Sequence, residues 1–218
     1  VRQLEAERDR ATLSGLFGRF VPRAIVNAMI AGRGALAPIE REATVLFADI
    51  AGFTEMTERA GAARSVEILN AYFDEVTRII GAHNGVVTQF QGDAVLATFN
   101  VPVEDAAHAR NAFAAARAIL ACVAGCEFAG ERIRVRIGIN TGRLVAGNVG
   151  GGGRQSYTVH GDAVNVAARL EALCKELGTP LLLSAATAQA LPDANLAAVG
   201  DIAVRGLAEP VSVFSIPR

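Results

Sequence analysis

Ala43-Thr44-Val45-Leu46-Phe47-Ala48-Asp49-Ile50-Ala51-Gly52-Phe53-Thr54 carries more structural information than any other run of this chain. Apart from Thr44, residues 43 to 47 are continuously apolar, which reads as a buried strand ending at Asp49. Gly52-Phe53-Thr54 then opens a short helix. Exposed backbone N–H groups at such a start, aided by the helix dipole, favour phosphate oxygens. A plain helix start with no ligand fits these residues equally well.

Outward from this run, strands and helices alternate. Arg64 to Ala82 reads as a helix, with Val66, Leu69, Phe73, Val76 and Ile80 at helical spacing. Val86 to Phe90 and Ala94 to Phe99 form two strands around a tight turn at Gly92-Asp93. Glu104 to Val123 is an alanine-rich helix. Ile133 to Ile139 alternates with Arg132, Arg134 and Arg136, which predicts a strand with one buried face and leaves Arg136 solvated. Gly150 to Gly153 reads as a flexible loop, and it lacks the Lys-Ser/Thr of a Walker A loop. Tyr157 to His160 is a short strand, Gly161 to Leu177 a helix and Leu181 to Leu183 a strand. The last strands fall near Ala197 to Val204 and Val211 to Ile216. This order predicts an α+β fold whose sheet is covered by helices on one side.

The 218 residues accommodate one domain with a sizeable core plus an appendage. Residues 1–35 read as a helical linker that transmits a signal, and residues 36–218 as the globular domain. The start at Val1-Arg2-Gln3, without an initiator Met or signal-peptide pattern, suggests a piece of a longer protein with an upstream sensor out of view. A net charge of −1 offers no basic field to attract nucleic acid, and no apolar run reaches membrane-spanning length. Three cysteines, Cys122, Cys126 and Cys174, argue against a disulfide framework and fit a cytoplasmic domain, tethered to a membrane only through whatever precedes it. Cys122 and Cys126 share a helix face and read as small buried apolar residues.

Two constellations carry chemistry. Asp49 at a strand end and Asp93 at a hairpin turn converge at one sheet edge if their strands are neighbours. Two carboxylates with an open side match Mg²⁺, which keeps some waters and binds substrate phosphates. Singly, each has an ordinary explanation, Asp93 as turn chemistry and Asp49 as a helix N-cap. Further on, in Tyr157-Thr158-Val159-His160-Gly161-Asp162-Ala163-Val164-Asn165-Val166-Ala167-Ala168-Arg169, Asn165 and Arg169 are spaced i, i+4 on one helix face. An arginine in so apolar a helix needs an anion, either a phosphate or a neighbour such as Glu171 or Asp162.

Together these segments resemble the class III nucleotide cyclases. Phe47 to Thr54 looks like the family's first metal motif, Phe90-Gln91-Gly92-Asp93-Ala94 its second, and Tyr157 to Glu171 the segment of base-reading and transition-state residues. Leu69-Asn70-Ala71-Tyr72-Phe73 and Gly138-Ile139-Asn140-Thr141-Gly142 are similar as well. The resemblance implies a ferredoxin-like antiparallel or mixed sheet flanked by helices, in a head-to-tail homodimer. It implies an adenylyl cyclase that converts ATP to cyclic AMP and pyrophosphate. Asp49, Asp93 and the Ile50 carbonyl would hold two Mg²⁺ or Mn²⁺ ions, with Gly52, Phe53 and Thr54 at the triphosphate. Arg169 would stabilise the α-phosphate and Asn165 the ribose. Each site would be shared between two chains, so a monomer would be inactive.

Gln89 and Thr158 occupy the base-reading positions. Many adenylyl members carry Lys where Gln89 stands. An amide can turn either its donor or its acceptor to the base, which implies weaker discrimination between ATP and GTP. A guanylyl or mixed-substrate cyclase is therefore one alternative, and a catalytically silent cyclase-like dimerisation module another. A basic residue near the C-terminal strands would touch the triphosphate; Arg205 is the candidate, although Leu207 could occupy that slot.

Overall fold

The computed structural model describes residues 25–27, 37–151, 154–203 and 210–217. Among them run β1 (Ile39–Ile50), α1 (Phe53–Ala60), α2 (Ala62–Ala82), β2 (Val86–Gln91), β3 (Ala94–Phe99), α3 (His108–Gly125), β4 (Val135–Gly151), β5 (Arg154–His160), α4 (Asp162–Leu177), β6 (Leu181–Ser184), α5 (Ala185–Gln189), β7 (Ala197–Ile202) and β8 (Val211–Ser215). The remainder of the expected N-terminal segment 1–35, and both Arg205 and Leu207, lie outside the described residues.

The strands form one mixed sheet in the order β2-β3-β1-β4-β6-β8-β7, with β5 paired to β4. β1 is antiparallel to both its neighbours, and only the β4–β6 pair is parallel. Its continuous apolar run has a simple cause: β1 is central and buried on both faces from Ala43 to Ala48. Thr44, the polar exception, is satisfied where it lies. Its hydroxyl is 2.8 Å from both His108 Nδ1 and Thr141 Oγ1.

Helices cover both faces of this α+β sheet, which corrects the one-sided cover expected from element order. Leu46, Ala48 and Ile50 of β1 join Ile137 and Ile139 of β4 against α2 and α3. Val45 and Phe47 point the other way, toward Ala167 of α4, whose Val166 and Leu170 also meet Leu182 and Val213. The clearest sign is Gly138: a Cβ there would stand 2.3 Å from both the Ala167 carbonyl and the Glu171 nitrogen. α4 therefore lies directly on the β4 backbone.

Other boundaries shift for local reasons. The inward face of α2 is Ser65, Ile68, Tyr72, Val76, Ile79 and Ile80, leaving Val66 55% exposed. The expected start of α3 at Glu104 moves to His108, because Glu104 pairs with Arg41 and Asp105 accepts from the Ala107 N–H. Gly150 and Gly151, expected in a loop, extend β4 in a long hairpin with β5. β4 continues to Gly151 and β5 resumes at Arg154, with 152 and 153 outside the described residues. Cys122 and Cys126 do share a face, their sulfurs 3.7 Å apart, but Cys126 is exposed and only Cys174 is a buried apolar filler. No helix among the described residues is long and apolar enough to cross a membrane.

Candidate active site

β1 delivers Asp49 to the edge of the sheet at the point where its ladder with β4 ends. The β2–β3 turn delivers Asp93, using Gly92 at φ 63°. Because β3 pairs with β1, the two carboxylates are brought to one end of the sheet. Burial first, and then Asp49, pushes the Asp93 carboxyl up to about 7, against the pull of backbone hydrogen bonds from Ile50 and Asp93 itself.

Both aspartates line one cavity of about 870 Å³ together with Ile50, Gly52, Phe53 and Thr54. Gly52 stands at φ 76°, a left-handed conformation that glycine takes without strain, and turns the chain from β1 into α1. No side chain caps the first N–H groups of α1, so they remain available to an anion. Arg134 and Lys175 also line the cavity.

The expected solvated position of Arg136 is corrected. Arg136 lines the cavity with its side chain only 20% exposed. Its Nη2 donates to Asp49 Oδ2 at 2.5 Å, and its Nε lies 3.1 Å from Glu171 Oε1 on α4. Burial works against the guanidinium charge, yet Asp49 and Glu171 outweigh it and hold its pKa above the ordinary arginine value. Glu171 is 14% exposed, and burial followed by the nearby Asp49 lifts its carboxyl to about 7, although Arg136 pulls the other way. Beneath them the Tyr72 hydroxyl is buried with no hydrogen-bond partner among the described residues; burial, then Asp49 and Asp93, raise its pKa well above the usual phenol value.

The donor set is suited to a hard divalent cation. Asp49 and Asp93 crowd each other and Glu171 in a half-buried pocket where Arg136 pairs with Asp49 and Glu171. A divalent ion bound by the two aspartates would relieve that repulsion.

Asn165 and Arg169 stand elsewhere. Both are exposed on α4, outside the cavity, and Arg169 makes no ion pair among the described residues. The alternative of an internal partner therefore fails for Glu171, which turns to Arg136. Thr158 on β5 is half-buried and Gln89 on β2 is exposed; neither lines the cavity. Gln89 Oε1 accepts from Gln91 Nε2 at 2.9 Å. One chain thus holds two separated sets of residues. One gathers at the carboxylates, and the residues of the other stand outside that cavity.

Glu171 and Arg136 are the residues that sequence reasoning missed. A usable signal existed in Gly138 and Gly142. Glycines alternating with Arg136 and Asn140 on one side of β4 mark a face approached closely by another element.

This fold and site define a class III cyclase catalytic domain. The chain belongs to that family: the sequence model described as "Adenylate and Guanylate cyclase catalytic domain" matches residues 37–216. Adenylate cyclase 1 of Rhizobium meliloti (strain 1021) is 34% identical over 208 residues, covering 92% of this chain and 31% of that protein. The chain thus spans about a third of the length of this curated relative. A bacterial light-regulated adenylyl cyclase superposes with a TM-score of 0.80 at 27% identity, covering 99% of this chain and 64% of that one. The guanylate cyclase domain of RhGC from Catenaria anguillulae, solved with GTP, superposes at 0.73 with 26% identity, covering 82% and 97%.

Proposed function

We propose that this chain is the output domain of an adenylyl cyclase, converting ATP to 3′,5′-cyclic AMP and pyrophosphate in a homodimer. The observation that carries the reading is the Asp49–Asp93 pair in one cavity with the uncapped start of α1 and Arg136. Two carboxylates and a main-chain carbonyl at Ile50 match a site for two Mg²⁺ or Mn²⁺ ions. When bound, such ions make a ribose 3′-hydroxyl more acidic and offset phosphate charge.

The protein's own residues do the rest. The N–H groups of α1 at Gly52, Phe53 and Thr54 receive phosphate oxygens. Arg136 offers its planar donor fork to the same triphosphate. Asn165 of the partner subunit orients the ribose, and Arg169 of the partner subunit stabilises charge on the α-phosphate. The 3′-oxygen bonds to the α-phosphorus, the bond to the bridging oxygen breaks, the hydroxyl proton passes to solvent water and pyrophosphate leaves. Gln89 of the partner subunit and Thr158 of the partner subunit face the base. The exposure of Asn165 and Arg169, away from the carboxylates, supports a site completed across a head-to-tail dimer. Residues 1–35 form the input segment from an upstream sensor, and the domain acts in the cytoplasm.

GTP is the second substrate to test, because guanylate cyclase domains share this fold. Turnover of ATP and GTP by the purified chain, with Mn²⁺ and with Mg²⁺ and with products identified, is the deciding experiment. Cyclic AMP as the main product is expected. Cyclic GMP as the main product would reverse the substrate reading, and no product from dimeric protein would favour a silent module.

A further inference from the structure

We propose that Glu171 is a positioning residue that takes the Arg136 guanidinium away from Asp49 when Asp49 turns to a divalent cation. The inference rests on the reading of Asp49 and Asp93 as cation ligands.

Arg136 stands between two carboxylates that it holds unequally. Toward Asp49 it makes a short, aligned hydrogen bond of 2.5 Å. Toward Glu171 it makes only an ion contact, Nε to Oε1 at 3.1 Å, and neither of those two atoms has a hydrogen-bond partner among the described residues. With Oδ2 held by Arg136, Asp49 offers a cation only its Oδ1, and the guanidinium repels an arriving cation. To offer both oxygens, Asp49 must be released by Arg136. Released within the wall of the cavity, it needs another counter-ion, because an uncompensated charge there is costly.

Glu171 meets that need. Its side chain is 14% exposed and its Oε1 is buried and unpartnered. Its backbone sits directly on β4, where a Cβ at Gly138 would stand 2.3 Å from the Glu171 nitrogen. Cys174, the other titratable group facing Arg136, is a buried thiol that burial pushes up to about 12, so it supplies no competing charge. A modest turn of the Arg136 side chain would exchange one carboxylate for the other and leave its charge in place for phosphate.

The test measures Mn²⁺ binding to the full chain by titration calorimetry, without nucleotide. The proteins are the wild type, Glu171→Gln, Arg136→Gln and the double variant. Glu171→Gln is expected to weaken Mn²⁺ binding about tenfold while Arg136 is present, the scale of a close, buried charge coupling. In the Arg136→Gln background the same substitution should have little effect, since no guanidinium remains to fall back on Asp49. Equal weakening in both backgrounds would mean that Glu171 acts only as a distant charge and would overturn the proposal, as would no weakening at all. Glu171→Asp keeps the charge but withdraws it by one methylene, so a loss of affinity there supports positioning even if the Gln variant folds poorly. Asp93→Ala separates this idea from the reading beneath it: unchanged Mn²⁺ affinity in that variant would remove the cation site itself.

Discussion

Asp93 and Glu171 are carboxylic acids that the fold keeps partly protonated near neutrality, through burial and the closeness of Asp49. Both folded-state values lie above the ordinary range, so the stability they contribute is present in acid and is lost as pH rises from about 4 through about 7. A divalent cation at the aspartates should reverse this loss. The gain in Tm on adding Mn²⁺ is therefore expected to be larger at about pH 8 than at about pH 6, as read by calorimetry with and without chelator. A gain independent of pH would separate these carboxyls from the cation. Asp93→Ala should abolish cyclic nucleotide production while circular dichroism and dimer mass stay unchanged. Turnover in that variant would remove Asp93 from the machinery.

Between elements, the decisive contact is α4 on β4. Gly138→Ala places a methyl group 2.3 Å from two backbone atoms of α4 that cannot rotate aside. The helix must lift, and a loss of about 3 kcal/mol or more is expected by urea denaturation, the overpacking cost at its upper end. Gly81→Ala, where nothing stands within 4 Å, is the control and should be near neutral or stabilising. A mild effect at Gly138 would mean that α4 is less tightly seated than it stands. Because α4 carries Arg169 on one side and Glu171 about 200° away at 100° per residue, lifting it should disturb both residue sets together.

For the whole molecule, separation of the two sets makes complementation the natural test. Asp93→Ala and Arg169→Ala chains should each be inactive alone. Mixed, half the dimers would be heterodimers with one intact site and one doubly broken site, so about a quarter of wild-type activity should return. No recovery from verified heterodimers would mean that each chain builds its site alone. Removing residues 1–35 should alter basal turnover or dimer formation; an unchanged rate and mass would count against an input role for that segment.

Much of this was legible in the chain itself. The apolar run at Ala43 to Phe47 marked the central strand, and the Gly92-Asp93 turn and the i, i+4 spacing of Asn165 and Arg169 were local patterns. Such features survive in one dimension because they depend on neighbours a few residues away. Order and spacing of motifs also sufficed for the family. The tertiary structure alone decided that helices cover both faces of the sheet, that Arg136 turns inward, and that Glu171 rather than a solvent molecule faces it. The physical reason is that β4 alternates correctly on the side facing α2 and α3, while its other side is buried by a helix that begins 24 residues after Gly138. Whether an arginine is solvated or buried there depends on where that helix docks. The docking depends on a missing methyl group at Gly138, a packing constraint that the apolar periodicity of β4 does not encode.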